Sequence, residues 1–456
     1  CSRPGRYGDN QMAVQDLTSG SVGKTLIKYA APMVATSLCQ SLYSIIDMVI
    51  VGNVSGDGGL SAINNSGLIV NLITQIAIGL TVGGNVLIGQ YFGAKQTTDQ
   101  KKTIGTLFTL SLISGVVCTV LLFALAEVLL RLLGAPVLEQ SVTYLRICSF
   151  GMPFVFGYNA LSAVLRALGN SRQPMQFIII SSVCNVVFDL IFVAALHMDV
   201  AGAALGTIIS QTISFAIALI FILRHREDYQ FDRRYLLPDG KKAKLIFKYG
   251  LPIALQWTVA SISWLAVAFL INKYDVAISA GNGVSNKIKE FCQLFITSLT
   301  SAGVTMAAQN LGACEYERGR EVMKVTMKLT LITAAVMVLI SEIFAPQLVS
   351  LFNQEPEVVK AAVTNLRIEI IAQFFYAGFM TYNVLATASG DTMFVMANSF
   401  LNCIVVRLVL AFVLEYFIGL NGIYIACMIA PLSSVPVGYA YYRSGKWRRN
   451  LTKQHA

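Results

Sequence analysis

Runs of about 20 apolar residues, the length a helix needs to cross a bilayer, recur along this chain from about residue 28 to about residue 441. Twelve are readable, at 28–51, 62–88, 103–127, 141–165, 174–196, 201–223, 245–271, 279–305, 325–350, 361–388, 393–416 and 419–441. In lipid such runs satisfy their backbone polar groups as helices. The composition agrees: 55% of the 456 residues are hydrophobic, 13% are charged and the mean hydropathy is +0.64, far too oily for a soluble domain. The expected fold class is an all-α integral membrane protein of twelve transmembrane helices.

The net charge of +10 sorts by side. Lys95, Lys101, Lys102, Arg166 and Arg172, the segments 224–248 and 312–328, and both termini carry nearly all the Lys and Arg. The opposite loops offer only Arg131, Lys273 and Lys360. By the positive-inside rule both termini are cytoplasmic, and the expected location is a bacterial inner membrane. Anionic membrane lipid accounts for the basic surplus, so no nucleic-acid partner is expected. The nine cysteines show no paired metal-ligand spacing. The first apolar run is too long and too far from the start for a cleaved signal peptide. Met12 is a natural start, and residues 1–11 read as a cloning remnant or a disordered tail.

The second half repeats the first. Lys28-Tyr29-Ala30-Ala31-Pro32 returns as Lys248-Tyr249-Gly250-Leu251-Pro252, Gly89-Gln90-Tyr91-Phe92-Gly93-Ala94 as Ala308-Gln309-Asn310-Leu311-Gly312-Ala313, and Tyr144-Leu145-Arg146-Ile147 as Asn365-Leu366-Arg367-Ile368. The offsets stay between 219 and 221. Six helices per unit is an even number, so the two units are parallel and their pseudo-twofold runs along the membrane normal. Two such halves around a central cavity are an architecture of secondary transporters. The expected organisation is a tail at 1–23, a six-helix lobe at 24–223, a cytoplasmic linker at 224–244, a second lobe at 245–442 and a basic tail at 443–456.

Two aspartates break the repeat. At the matching offset Asp47 faces Val267, and Asp189 faces Val409 or Leu410. A carboxylate within a bilayer is costly and is rarely kept without a task. Helices 1 and 5 run outward and helix 6 runs inward, which brings Asp47, Asp189 and Thr207 to one depth in the outer half. Asn185 and Asp189 are four apart and share a helix face. Two carboxylates, an amide and a hydroxyl form a hard oxygen set that suits H+ or Na+ rather than a soft metal. Two carboxylates in a low dielectric also resist ionising together.

In this order and spacing the segments resemble the multidrug and toxic compound extrusion (MATE) family, and within it the DinF-like branch. The likeness covers the chain after residue 18. It rests on the Pro32 helix ending in Asp47-Met48-Val49-Ile50-Val51-Gly52, on Gly89 to Ala94, and on Leu165-Arg166-Ala167-Leu168-Gly169-Asn170. Asn185-Val186-Val187-Phe188-Asp189 and Gly202-Ala203-Ala204-Leu205-Gly206-Thr207 complete it. The resemblance implies a MATE-like pair of parallel lobes, and a coupling-ion role for Asp47, Asn185, Asp189 and Thr207 with Tyr144 as a neighbouring hydrogen-bond partner. A bound Na+ would sit at Asp47, Asn185 and Asp189. The acidic residue that NorM-like relatives carry in helix 7 has no counterpart here, so no cation site is expected in the second half.

Gln40, Tyr43 and Asp47 fall on one helix stripe, and Asn159 and Ser162 extend a polar lining. Phe156 and Met33, with Phe154 and Met175, are candidate apolar walls for a substrate cavity. The second half carries its own intramembrane charges: Lys287 and Glu290, three apart and able to pair, Lys289, and Arg407. The sequence Gly20-Ser21-Val22-Gly23-Lys24-Thr25 ends like a phosphate-binding loop, but Thr18 stands where the loop needs its first glycine. The expected function is secondary efflux of lipophilic, cationic drug-like molecules in exchange for H+ or Na+, by a monomer without enzymatic activity or cofactor. The alternative is a flippase of the same superfamily for lipid-linked oligosaccharides or another lipid.

Overall fold

The computed structural model describes residues 14–454; the remnant or tail expected at 1–11 lies outside them. Helices dominate, and no strand occurs among the described residues. The first lobe comprises α1 (Val22–Val54), α2 (Ser61–Gly93), α3 (Thr97–Leu132), α4 (Leu138–Ser149 with Met152–Ala167), α5 (Arg172–Ala195) and α6 (Asp199–Arg224). The second comprises α7 (Gly240–Ile271), α8 (Val276–Gly312), α9 (Tyr316–Ser350), α10 (Pro356–Glu369 with Ala372–Ala388), α11 (Thr392–Ile418) and α12 (Leu420–Ser444).

Ten of these helices are long and apolar enough to cross a membrane, eleven when the two pieces of α4 count as one span. The pieces of α4 meet at 48°, with the break at Phe150 and Gly151. Two hundred and twenty residues later α10 breaks at Ile370 and Ile371, leaving pieces of 14 and 17 residues. The repeat therefore extends to its irregularities. α5 and α11 share another: π-helical turns at Leu190–Ala195 and Leu401–Val406. Such turns displace the side chains beside them and gather at functional sites.

Large apolar side chains stay on the outside. Val120, Val183, Phe269 and Leu339 are each 60–68% exposed, as a lipid-facing surface requires. Inside the first lobe Leu87, Tyr91, Leu107, Phe156, Leu161 and Leu165 form one buried core. A second cluster crosses between the lobes, joining Leu26 and Tyr29 to Met306, Leu311 and Val322.

The lobes meet most closely at the end bearing the termini, through the two copies of one motif. A Cβ added to Gly93 would stand 1.9 Å from the Gln309 carbonyl oxygen, and one added to Gly312 would stand 2.1 Å from that of Gln90. Only glycine permits backbones this close. The glutamines then reach across reciprocally. Gln90 Nε2 donates to the Ala388 carbonyl at 2.7 Å and its Oε1 accepts from Leu451 N at 2.8 Å. Gln309 Nε2 donates to the Ala167 carbonyl at 2.8 Å and its Oε1 accepts from Leu17 N at 2.9 Å. Further along α2, Gly79 and Gly83 press against Ala254 and Gly250 of α7.

Candidate coupling site and substrate cavity

Helix α5 ends its regular part at Asp189, where the π turn begins. Asp189 is fully buried and its carboxyl lies within hydrogen-bonding reach of Asp47 on α1. Asn185, one turn earlier on the same face, is also buried. Two ionised carboxylates have no proton to share, and Asp47 Oδ1 and both Asp189 oxygens, like Asn185 Oδ1, have no hydrogen-bond partner among the described residues. Buried oxygens without donors are costly, and a proton or a hard cation is the group that removes the cost. The donor set fits either.

Close packing of α5 on α6 holds the pair in place. Ser181 Oγ donates to the Ser210 carbonyl at 2.7 Å. One turn along, a Cβ on Gly206 would come within 2.6 Å of Asp189 Oδ1, so glycine makes the notch into which the carboxylate fits. Thr207 is nearby, but its hydroxyl donates to the Ala203 carbonyl at 3.0 Å within its own helix. Tyr43 and Tyr144 face the acids, both feeling the charge of Asp47.

In front of the acids opens a cavity of about 670 Å³, in the range of roughly 300–1,000 Å³ typical of small-molecule sites. Met33, Gln40, Tyr43, Asn159, Tyr144 and Thr207 line it. Asp47, Asn185 and Asp189 stand one layer behind this wall. Phe156, read from sequence as a wall residue, lies instead in the lobe's hydrophobic core with no exposed surface. It sits about 70° around α4 from the middle of the lining stripe of Met152, Val155 and Asn159. Ser162 is buried at 1% exposure and does not reach the wall, and Phe154 packs on Phe215.

Sequence reading missed the contribution of α2. Asn71, Thr74, Ile78, Thr81 and Asn85 all line the cavity at steps of three and four, a polar stripe legible by helical periodicity alone. Helix α8 closes the cavity from the other lobe with Thr297, Ser298, Ser301 and Thr305.

In the second lobe Lys287 and Glu290 pair at 3.3 Å on an exposed surface. The buried pairing is a different one. Lys289 bonds Glu369 of α10, both at most 5% exposed, and reaches Asn365 Oδ1 at 3.2 Å. Asn365 is the repeat counterpart of Tyr144, and the Lys289–Glu369 pair sits on α8 and α10, the counterparts of α2 and α4 rather than of the α1 and α5 that carry the acids. Glu369 escaped the sequence reading although it lies inside the tenth apolar run. Arg407 follows the π turn of α11 and stacks over Trp264 at 4.4 Å.

Comparison with known proteins agrees with this two-part plan. Over 453 residues the chain is 28% identical to the probable multidrug resistance protein YoeA of Bacillus subtilis, covering 97% of this chain and 98% of that protein. It is 26% identical to the multidrug export protein MepA of Staphylococcus haemolyticus, covering 90% and 91%. Among solved structures, an outward-facing multidrug resistance MATE family transporter of the MOP superfamily aligns with a TM-score of 0.89 at 22% identity, covering 96% and 98%. The Vibrio cholerae MATE transporter VcmN aligns equally well at 22% identity and TM-score 0.89, covering 95% and 100%. The MatE family model matches twice, over residues 32–191 and 252–413. Both matches open on the prolines that open the sequence repeat, one in each lobe, and the chain belongs to the MatE family.

Proposed function

We propose that the protein is a secondary active multidrug exporter of the DinF-like kind, moving lipophilic organic cations out of the cell in exchange for inward H+ or Na+. The observation that carries this reading is the pairing of half-buried Asp47 with buried Asp189, of whose oxygens Asp47 Oδ1 and both of Asp189 lack donors, behind the wall of a drug-sized cavity. Loading the pair with an ion removes repulsion and desolvation together and lets α1 close on α5 and α6. Unloading reverses it, and the two states expose the cavity to opposite sides.

The acidic pair behind the cavity wall draws cations, which favours export of cationic drugs over a flippase that would bind pyrophosphate. The names of YoeA and MepA accord with export. With both termini cytoplasmic, the end sealed by Gln90 and Gln309 faces the cytoplasm and is closed in this state. The unit acts as a monomer within lipid. Exchanging one H+ or Na+ for one monovalent cation moves no net charge, so the ion's own gradient, about 1.4 kcal/mol per tenfold, drives it, and each additional inward ion would add roughly 2.3 kcal/mol per 100 mV.

Reconstitution into liposomes tests this. Ethidium movement is followed under a pH gradient and, separately, under a Na+ gradient, for wild type, Asp47→Asn and Asp189→Asn. The gradient that drives wild type identifies the ion, and both variants lose gradient-driven movement. Undiminished movement in both would sink the coupling role.

A further inference from the structure

The second lobe holds a cavity of its own, about 250 Å³ in volume. It adjoins the first: Thr74 and Thr297 line one, while their neighbours Gln75 on α2 and Gln293 on α8 line the other. Its charges are reversed. Lys289, Arg407 and Glu369 all reach its wall, and Glu369 is already neutralised by Lys289. That leaves Arg407 as an uncompensated positive charge. It is only 5% exposed, and no carboxylate lies within ion-pair distance of it among the described residues. One guanidinium nitrogen, Nη1, donates to Ser263 Oγ at 3.4 Å, the ring of Trp264 lies under its plane, and Nε has no acceptor.

A buried guanidinium without a counter-ion is among the costliest arrangements a protein can keep. A planar anion is the ligand its fork of N–H donors matches best. The remaining wall fits such a ligand. Ser399 Oγ is buried without a partner and can donate, while Trp257, Trp264, Tyr376 and Phe379 present aromatic faces. The volume is below the roughly 300 Å³ of a whole small-molecule site, so it suits one arm of a larger molecule. A protonated amine or metal ion would find no free carboxylate here.

The geometry points to a binding site for an aromatic carboxylate group in the second lobe, with Arg407 as its counter-ion. Its role as the place where a transported molecule lodges an anionic arm rests on the export reading above; binding itself does not. The first lobe thus offers a negative site and the second a positive one, at matching helices beside matching π turns.

Binding to purified protein in nanodiscs separates the two ideas, because it needs no gradient. The probes are 4-nitrobenzoate and its uncharged analogue 4-nitrobenzamide, followed by quenching of tryptophan fluorescence, to which Trp257 and Trp264 report directly. Wild type is expected to bind the acid on the order of tenfold more tightly than the amide, the size of one charge-assisted contact. Arg407→Gln is expected to abolish that preference, and Arg407→Lys, which keeps the charge without the planar fork, to retain part of it. Equal affinity for acid and amide in wild type overturns the proposal whatever the variants do. So does an Arg407→Gln protein that keeps the preference. Loss of ethidium transport with the preference intact would defeat the export reading alone.

Discussion

Gly206 is the residue on which the acidic pair depends most directly, since any side chain there meets Asp189 Oδ1. Gly206→Val is expected to cost about 1–3 kcal/mol by overpacking and to cut ion-driven ethidium transport, measured by thermal unfolding and in liposomes. Across the molecule the pair Lys289 and Glu369 shows the opposite dependence. Glu369→Gln strands a buried ammonium and is expected to cost about 3–5 kcal/mol, while the double replacement Lys289→Met with Glu369→Leu recovers most of it; unfolding midpoints of the three proteins decide. Asp47 and Asp189 were legible in the sequence because each stands alone in an apolar run. Glu369 was equally readable by that rule, but the second-half charges that stood out in the sequence were Lys287, Lys289, Glu290 and Arg407. Its partnership with Lys289, 80 residues away, is a tertiary fact.

At the scale of elements, helix starts and breaks set where charges end up. Asp239 caps α7, its carboxylate accepting from the N–H groups of Lys241 and Lys242 at 2.9 and 3.1 Å. These bonds and the nearby lysines hold its carboxyl below the usual carboxylate range. A carboxylate favoured in the folded state contributes above its unfolded value, about 3.9, and the contribution fades as pH falls through the lower folded value. Asp239→Ala is therefore expected to lower stability by about 0.5–2 kcal/mol at pH 7 and by progressively less below about pH 4. Comparing its unfolding with wild type across that range checks the sign. The helices themselves were readable from hydropathy. The bend in α4 has a local signal in Gly151 and Pro153, whereas the bend in α10 and the π turns in α5 and α11 fall in runs without proline or glycine and were not readable.

For the molecule as a whole, the reciprocal glutamines are the latch between the lobes. Both are fully buried, and each ties one lobe to the other or to a terminal segment. Gln90→Leu with Gln309→Leu is expected to weaken that end. A cysteine placed at Ser301, on the cavity wall, then becomes more rapidly labelled by an impermeant maleimide from the side bearing the termini. Either single variant should give a smaller change, since the two sets of bonds are separate. Unchanged labelling in the double variant would show that glycine packing alone holds the seal.

The sequence by itself determined the all-helical membrane class, the duplication and the two lone carboxylates of the first lobe. Apolar length, a constant offset and a charge in an oily run are all local or periodic properties, readable without coordinates. Only the tertiary structure decided that Phe156 turns from the cavity into the core, and which charges meet. A helix face is fixed by rotation and bend, a few tens of degrees that composition does not encode. The second lobe's reversed polarity came from that same source: the pairing of Lys289 with Glu369 leaves Arg407 alone, and only the fold could reveal the remainder.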